Sequence, residues 1–564
     1  MSALALPTAP ALRIELLATG WRPWALLLGL CACLFVPGIT AMPPLDRDEA
    51  RFMQATRQMV ESGDLLQIRF QDEARNKKPV GIYWLQSAAV ALFSTPASTE
   101  AWPYRLPSLL GATLSVLLTF TVGARLVGRP AALLGAALLA SSLLLVVEAH
   151  LAKTDAVLLA TVVAAQGALG VLYRGNRDGV VAHRGLAVVF WLAQGVGILI
   201  KGPVTPLVSL LTISVLCLAD RRWRWLGGLR PLWGLPLAVA VAAPWFIAIQ
   251  AATGGAFANE ALGHDLIGKL VGAQESHGAP PGTYLLLAPV TLWPVSALLG
   301  LACVAGWRER RNPAVRFLLA WIIPAWLLFE LVPTKLPHYL LPIYPALTLL
   351  AGNALAALVA GADIVRRKWL DDILFALWTI VGLALVIVLI GLPIVWGEGV
   401  AALSLVPAAA TISFGLVMLR QLWNGFSLSV VPVIVALAIL VFAPSFATLL
   451  PGLNALWLSR SAAALVAQHQ PPAGSAIDTV GYNEPSLVFL LRGATRAVDA
   501  GQAAADVASR QGALALVAAR DDVAFRAALA ARGMQPVRLG ETTGIDYSRS
   551  AAPVTLGLYG GAAP

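Results

Sequence analysis

The chain has 564 residues, 58% of them hydrophobic and only 12% charged. Its mean hydropathy is +0.76. Soluble globular domains carry about 25% charged residues, so the composition excludes an ordinary water-soluble protein and describes a polytopic membrane protein. The net charge of +10 would suit nucleic acid, but the basic residues lie in short arginine-rich loops between apolar runs, the charge pattern of cytoplasmic membrane loops.

Taking about 20 apolar residues per crossing, thirteen spans are predicted, near 23–41, 106–124, 130–147, 156–173, 186–200, 203–219, 231–250, 283–306, 316–332, 339–360, 372–396, 400–419 and 427–449. No Ala-x-Ala site follows the first apolar run, which reads as a retained span rather than a cleaved signal peptide. With the N-terminus inside, the Arg125–Arg129, Arg174–Arg184, Arg221–Arg230, Arg308–Arg316, Arg366–Lys368 and Arg420 loops all fall on the cytoplasmic side. The opposite loops, 42–105, 148–155, 201–202, 251–282 and 333–338, hold nearly all the unusual polar residues. The chemistry is therefore expected on the outer face of a bacterial inner membrane, toward the periplasm.

Within the first outer loop, 42–105, the stretches 48–61 and 79–93 read as amphipathic helices lying along the membrane surface. The outer loop 251–282 is glycine- and proline-rich and long for a membrane connection, so it could order over a substrate. The four cysteines, Cys31, Cys33, Cys217 and Cys303, lie in apolar runs without paired spacing, which argues against disulfides and zinc–thiolate sites. Residues 1–450 thus form a transmembrane domain. Residues 455–564 change character: strand-length apolar runs at 475–480, 513–518 and 554–558 alternate with helix-like stretches at 484–491 and 523–531. This segment is expected to be a small α/β domain which, after an odd number of spans, lies in the periplasm.

The run from Pro43 to Phe52 packs Asp46, Asp48 and Glu49 with Arg47 and Arg51 directly after the first span. Charges at a membrane boundary are costly unless they face water, a partner or a substrate. Further cations, Lys78, Lys153, Lys201 and Lys335, stand at other span ends on the same side, with Asp155, His264, His277, His338 and Tyr339. Clustered cations suit phosphate or pyrophosphate, although a single lysine could simply reach lipid headgroups. Asp155 could cap its helix, or it could act with Asp48 on an acceptor or on an oxocarbenium-like centre. His264 or His338 could join a carboxylate around a divalent metal, although no His-Glu-x-x-His spacing occurs. There is no glycine-rich phosphate loop to bind a nucleotide.

These motifs, Asp48-Glu49-Ala50-Arg51-Phe52, Lys78-Pro79-x-x-Tyr83-Trp84, Arg105-Leu106-Pro107, Lys153-Thr154-Asp155, Lys201-Gly202-Pro203 and Lys335-Leu336-Pro337-His338-Tyr339, resemble the bacterial lipid A aminoarabinose transferases. That ArnT type belongs to the lipid-phosphate-sugar transferases of GT-C membrane fold, with the protein O-mannosyltransferases and oligosaccharyltransferases. The resemblance covers about 43–345 and is weak in 455–564. It implies transfer of 4-amino-4-deoxy-L-arabinose from undecaprenyl phosphate to a lipid A phosphate, and with it resistance to polymyxin and cationic peptides. Asp48 and Asp155 would be the catalytic acids, and Arg51, Lys78, Tyr83, Lys201, Lys335 and Tyr339 would bind substrate or phosphate. Asp46, Arg47 and Glu49 would be supports or solvated neighbours. The family's Glu-Lys-Pro is Lys77-Lys78-Pro79 here, so no role passes from that glutamate.

Two other readings stay open from sequence. A GT-C transferase with a hydroxyl acceptor would need a true general base. A transporter or flippase would call for mid-span charges and a repeated half, neither of which the sequence displays.

Overall fold

Apolar helices account for most of the chain before residue 450. The computed structural model describes residues 9–177, 184–260, 278–362, 367–396, 402–424, 427–471, 475–510, 512–549 and 551–560. Eight helices are long and apolar enough to cross a membrane: Trp102–Leu126, Asp155–Arg177, Arg184–Lys201, Pro231–Ala252, Pro313–Leu331, Pro337–Val359, Lys368–Trp396 and Val430–Gly452. Two pairs, Arg129–Ala140 with Leu143–Ala149 and Thr283–Thr291 with Val295–Arg308, reach that length together but bend by 63° and 114°. The shorter apolar helices Arg22–Phe35, Val204–Asp220 and Leu405–Gln421 occupy the remaining predicted spans. Each of the thirteen spans therefore coincides with an apolar helix or a bent pair, and the chain is a multi-pass membrane protein.

The bends are satisfied internally, as backbone at membrane depth must be. At the first break Ser141 and Ser142 donate to the carbonyls of Ala137 and Leu139 at 2.9 and 2.8 Å. The Leu143 amide donates to the Trp293 carbonyl at 2.9 Å, so the two bends hold each other. Elsewhere small residues bring helices close: a methyl group on Gly111 would lie 2.8 Å from the Val157 backbone, which fixes Trp102–Leu126 against Asp155–Arg177.

In the first outer loop a minimal hairpin, β1 (Arg69–Phe70) with β2 (Glu73–Ala74), separates the helices Asp48–Ser62 and Gly81–Phe93. The chain ends in a five-stranded sheet of β3 (Ile477–Val480), β4 (Thr495–Ala497), β5 (Leu514–Ala518), β6 (Val537–Asp546) and β7 (Ala552–Gly560), in the order β4-β3-β5-β7-β6. The pairs β3/β4 and β3/β5 are parallel and are linked through the helices Pro485–Leu490 and Ala500–Ser509; β7 runs antiparallel to both neighbours. Period-two alternation divides β5 between two small cores. Leu514 and Leu516 pack with Leu458, Ile477 and Leu558 on one face, and Ala515 and Val517 with Val507 and Phe525 on the other.

The runs expected as strands are β3, β5 and part of β7. The strands β4 and β6 are additions: β4 has three residues, and β6 is an edge strand whose Glu541, Thr542, Thr543 and two glycines carry no apolar run.

Candidate active site

Glu49 and Arg105 fix the floor of the site. Glu49 lies in the first turn of Asp48–Ser62, a helix that places Ala50, Phe52 and Met53 on its buried face and stops at Gly63, whose φ of 71° suits a glycine C-cap. The Glu49 carboxylate receives Nε and Nη2 of Arg105 at 2.8 and 3.0 Å and the backbone amides of Ala152 and Leu45, both at 2.8 Å. Arg105 also donates to the carbonyls of Ile39, Met42 and Pro43 at 3.0, 2.7 and 2.9 Å. This fully paired buried bridge joins the end of the first span, the first outer loop and the 150–154 turn. Glu49 is thus a support, as the sequence reading has it.

Above that floor lies a network of charges. Asp155 begins its helix, where the positive end of the macrodipole favours a carboxylate. Lys201, the last residue of Arg184–Lys201, donates to Asp155 Oδ1. Lys153 donates to Glu148 Oε1 at 3.0 Å. His338, on the 3₁₀ turn Pro337–Ile343, sets Nδ1 3.8 Å from Glu148 Oε1 and Nε2 3.8 Å from Asp155 Oδ1. The Lys201 ammonium stands 5.6 Å from the centre of the Tyr339 ring.

The network opens on a cavity of about 670 Å³ whose polar end holds Lys77, Lys78, Asp155, Lys201 and His338. Its walls are apolar, with Leu158, Phe246, Phe257, Leu328 and Phe329. Gly81 lets the helix that follows Lys78 pack on the end of Arg184–Lys201, since a Cβ there would lie 2.7 Å from the Leu199 carbonyl; Lys78 and Lys201 line the same cavity. Such a vessel, cationic at one end and greasy along its length, matches an amphiphile with an anionic head.

The structure brings Lys78, Asp155, Lys201, His338 and Tyr339 together and leaves other predicted residues outside. Asp48 is exposed at the start of its helix and does not line the cavity; Arg51, one turn on, is half-buried and engaged by a neighbour. Tyr83 is buried, packs 5.3 Å from the Phe52 ring and receives Arg75 Nε at 3.3 Å, so it supports the loop from beneath. Lys335 is turned away from the cavity: its ammonium donates to the carbonyls of Glu330 and Val332 at 2.9 and 2.6 Å. There it closes the end of Pro313–Leu331, whose last carbonyls have no partner within the helix. His264 and His277 lie outside the described residues.

Glu148 is the residue that sequence reasoning missed. It sits in an unbroken apolar run, LLLVVEA, where an acid is itself the signal. Glu148, Asp155 and His338 each offer a ligand atom within 4.8 Å of the others, and Glu148 Oε2 is buried without a hydrogen-bond partner. Donor types and spacing therefore fit a divalent cation, with Lys153 and Lys201 as competing positive charges on the same carboxylates.

The C-terminal sheet unit closes over the first loop. Asp46 accepts from the Ser486 amide and hydroxyl, both at 2.7 Å, while its own amide donates to Tyr547 at 2.9 Å. Arg57 donates to the Phe489 carbonyl at 2.6 Å and lies 4.0 Å over that ring. Burial pushes the Asp46 carboxyl up to about 7; the Ser486 bonds oppose the rise, and the nearby Glu484 and Asp546 charges add to it.

With this geometry in place, the likeness to known proteins is specific. Residues 77–247 match the family described as dolichyl-phosphate-mannose-protein mannosyltransferase. The chain is 30% identical over 344 residues to the undecaprenyl phosphate-alpha-4-amino-4-deoxy-L-arabinose arabinosyl transferase of Pseudomonas paraeruginosa, a match covering 61% of each chain. It is 29% identical over 426 residues to the protein of the same name from Aeromonas hydrophila, covering 74% of this chain and 76% of that one. The match thus spans about three fifths of the length of the Pseudomonas relative.

The fold superimposes on the crystal structure of ArnT from Cupriavidus metallidurans bound to undecaprenyl phosphate, with a TM-score of 0.74, 21% identity and coverage of 96% and 98% of the two chains. It also matches the apo Archaeoglobus fulgidus oligosaccharyltransferase, with a TM-score of 0.50, 11% identity and coverage of 89% and 70%. The fold is that of the GT-C class of membrane proteins. Within that class the resemblance read from the motifs, to the ArnT type, holds in both sequence and structure.

Proposed function

We propose that this protein is a lipid-phosphate-sugar glycosyltransferase that moves 4-amino-4-deoxy-L-arabinose from undecaprenyl phosphate to a phosphate of lipid A. The observation that carries the reading is the cavity with Lys78 and Lys201 beside Asp155 at one end of a long apolar wall. It suits a polyprenyl phosphate, and the relatives' names supply the sugar. The arginine-rich loops lie at the opposite helix ends, which by the positive-inside rule supports a cavity that faces the periplasm at the outer face of the inner membrane. The C-terminal sheet unit is then periplasmic as well.

In the transfer the bond from the sugar's anomeric carbon to the donor phosphate breaks, and one to an acceptor phosphate oxygen forms. The acceptor, whose second pKa is about 6, is already largely ionised and needs little help from a base. The negative charge left on the departing lipid phosphate is offset by Lys78 and Lys201. Asp155, held by Lys201 in a fixed position, faces the positive charge that develops at the anomeric carbon. Asp48, exposed outside the cavity lining but within electrostatic reach of Lys153, orients the incoming head or receives the donor's ammonium. A divalent cation held by Glu148, Asp155 and His338 would add positive charge toward the donor phosphate.

Expression in a bacterium lacking its own aminoarabinose transferase, with lipid A read by mass spectrometry, tests this. An aminoarabinose mass increment and raised polymyxin resistance are expected. A well-folded protein that leaves lipid A unmodified while the donor accumulates would overturn the acceptor assignment.

A further inference from the structure

A second polar cavity lies at the other end of the helices, remote from the Asp155 network. It measures about 490 Å³ and is rimmed by Arg125, Arg174, Asn312 and Asn353, with the first turn of Pro313–Leu331 on one wall. Three features give it the chemistry of an anion site. Arg174 is anchored, donating through Nη1 to the carbonyls of Arg125 and Leu126 at 2.7 and 2.5 Å, so its guanidinium holds its place at the rim. Arg125 stands at the end of Trp102–Leu126 with an exposed side chain. The helix beginning at Pro313 directs its positive end into the space, with Asn312 capping the Ala314 amide at 2.9 Å. The nearby acid Glu309 accepts from Asn353 Nδ2 at 3.2 Å.

The setting says what kind of anion. Trp307, 61% exposed, sits at the end of the neighbouring bent pair with Arg310 5.0 Å from its ring centre. Exposed tryptophan beside arginine is the side-chain pattern of the headgroup level of a bilayer. Two guanidiniums, amide side chains and a helix N-terminus around a space of this size match a phosphodiester with a short polar substituent. We propose that this cavity binds the headgroup of an anionic phospholipid, with Arg125 and Arg174 on its phosphate. The inference is independent of the transfer reaction and uses none of its residues.

Native mass spectrometry of the full chain in neutral detergent, titrated with phosphatidylglycerol or phosphatidylcholine, tests it. Wild type should retain phosphatidylglycerol preferentially, and Arg125→Gln should bind it about ten-fold more weakly, the effect of losing one charge-assisted hydrogen bond. Arg125→Lys should fall between the two. Arg222→Gln, in another exposed arginine-rich loop, should bind as wild type does. Because the Arg125 side chain is exposed and the carbonyl that Arg125 offers to Arg174 is kept in the variant, the melting temperature of Arg125→Gln without added lipid should match wild type. Equal affinity in Arg125→Gln and wild type, or an equal loss in Arg222→Gln, overturns the proposal. Displacement of the lipid by inorganic phosphate at equal concentration overturns the lipid as occupant.

Discussion

The two ends of the helix bundle handle charge in opposite ways. At the cavity end, carboxylates and cations alternate and are buried in contact: Glu49 with Arg105, Glu148 with Lys153, Asp155 with Lys201. At the other end arginine dominates: Asp220, with a side chain 5% exposed, takes Arg177 and Arg316, but several further side chains, such as Arg221, Arg222 and Arg224, are exposed. Exposed charges of one sign set orientation and attract anions but order little structure. Buried pairs of both signs are costly to assemble and cannot be broken singly without leaving an uncompensated charge. The first arrangement tolerates substitution; the second defines a geometry.

That contrast can be put to the test, starting from the largest effect. Asp155→Asn removes the acid that links Lys201 and His338, and sugar transfer to lipid A should drop at least ~100-fold; activity within a few-fold of wild type would detach the network from the chemistry. Arg105→Ala strands Glu49 and should cost about 3–5 kcal/mol, read as a large fall in melting temperature in detergent, whereas Arg222→Ala should stay within about 0.5 kcal/mol of wild type. Lys335→Met removes a helix-end ammonium and should cost about 1–2 kcal/mol while leaving the KM for donor unchanged; a raised KM would return Lys335 to the phosphate site.

The smallest effect is a pH dependence. The Asp46 carboxyl has its folded pKa raised to about 7, against about 3.9 in an unfolded chain. Between these values the folded chain keeps a proton that the unfolded chain has lost. The stabilisation is therefore full below about pH 4 and declines as pH rises to about 7. Asp46→Asn preserves a group that can both accept from and donate to Ser486 but does not titrate. Its melting temperature should fall less than that of wild type between those pH values, and parallel curves would refute the assignment.

The sequence conveyed the helical framework well, because a membrane span is written in one run of residues. It also located Asp155, Lys201, Lys78, His338 and Tyr339, which stand at span ends where charge is conspicuous. Glu148 falls just past the predicted span 130–147, at the start of the outer 148–155 loop, and is passed over because the run before it is apolar and only the fold brings it to Lys153 and His338. Lys335 has the same appearance in sequence as Lys201; only the path of the chain shows one ammonium turned to helix-end carbonyls and the other to a carboxylate. Asp48 and Glu49 are adjacent, and the helix phase that exposes one and buries the other depends on where Arg105 arrives from a distant helix.

The clasp between Asp46 and Ser486 joins residues 440 positions apart. Synthesis at about 5–20 residues per second means that roughly 20–90 seconds separate the emergence of the two partners. Throughout that interval the turn beside the first span exists without its closing contact, while every later span is being inserted. The final architecture of the first outer loop is therefore among the last parts of the protein to be completed, and a chain that stalls before its terminal sheet would carry the helices of the site with that contact still unmade.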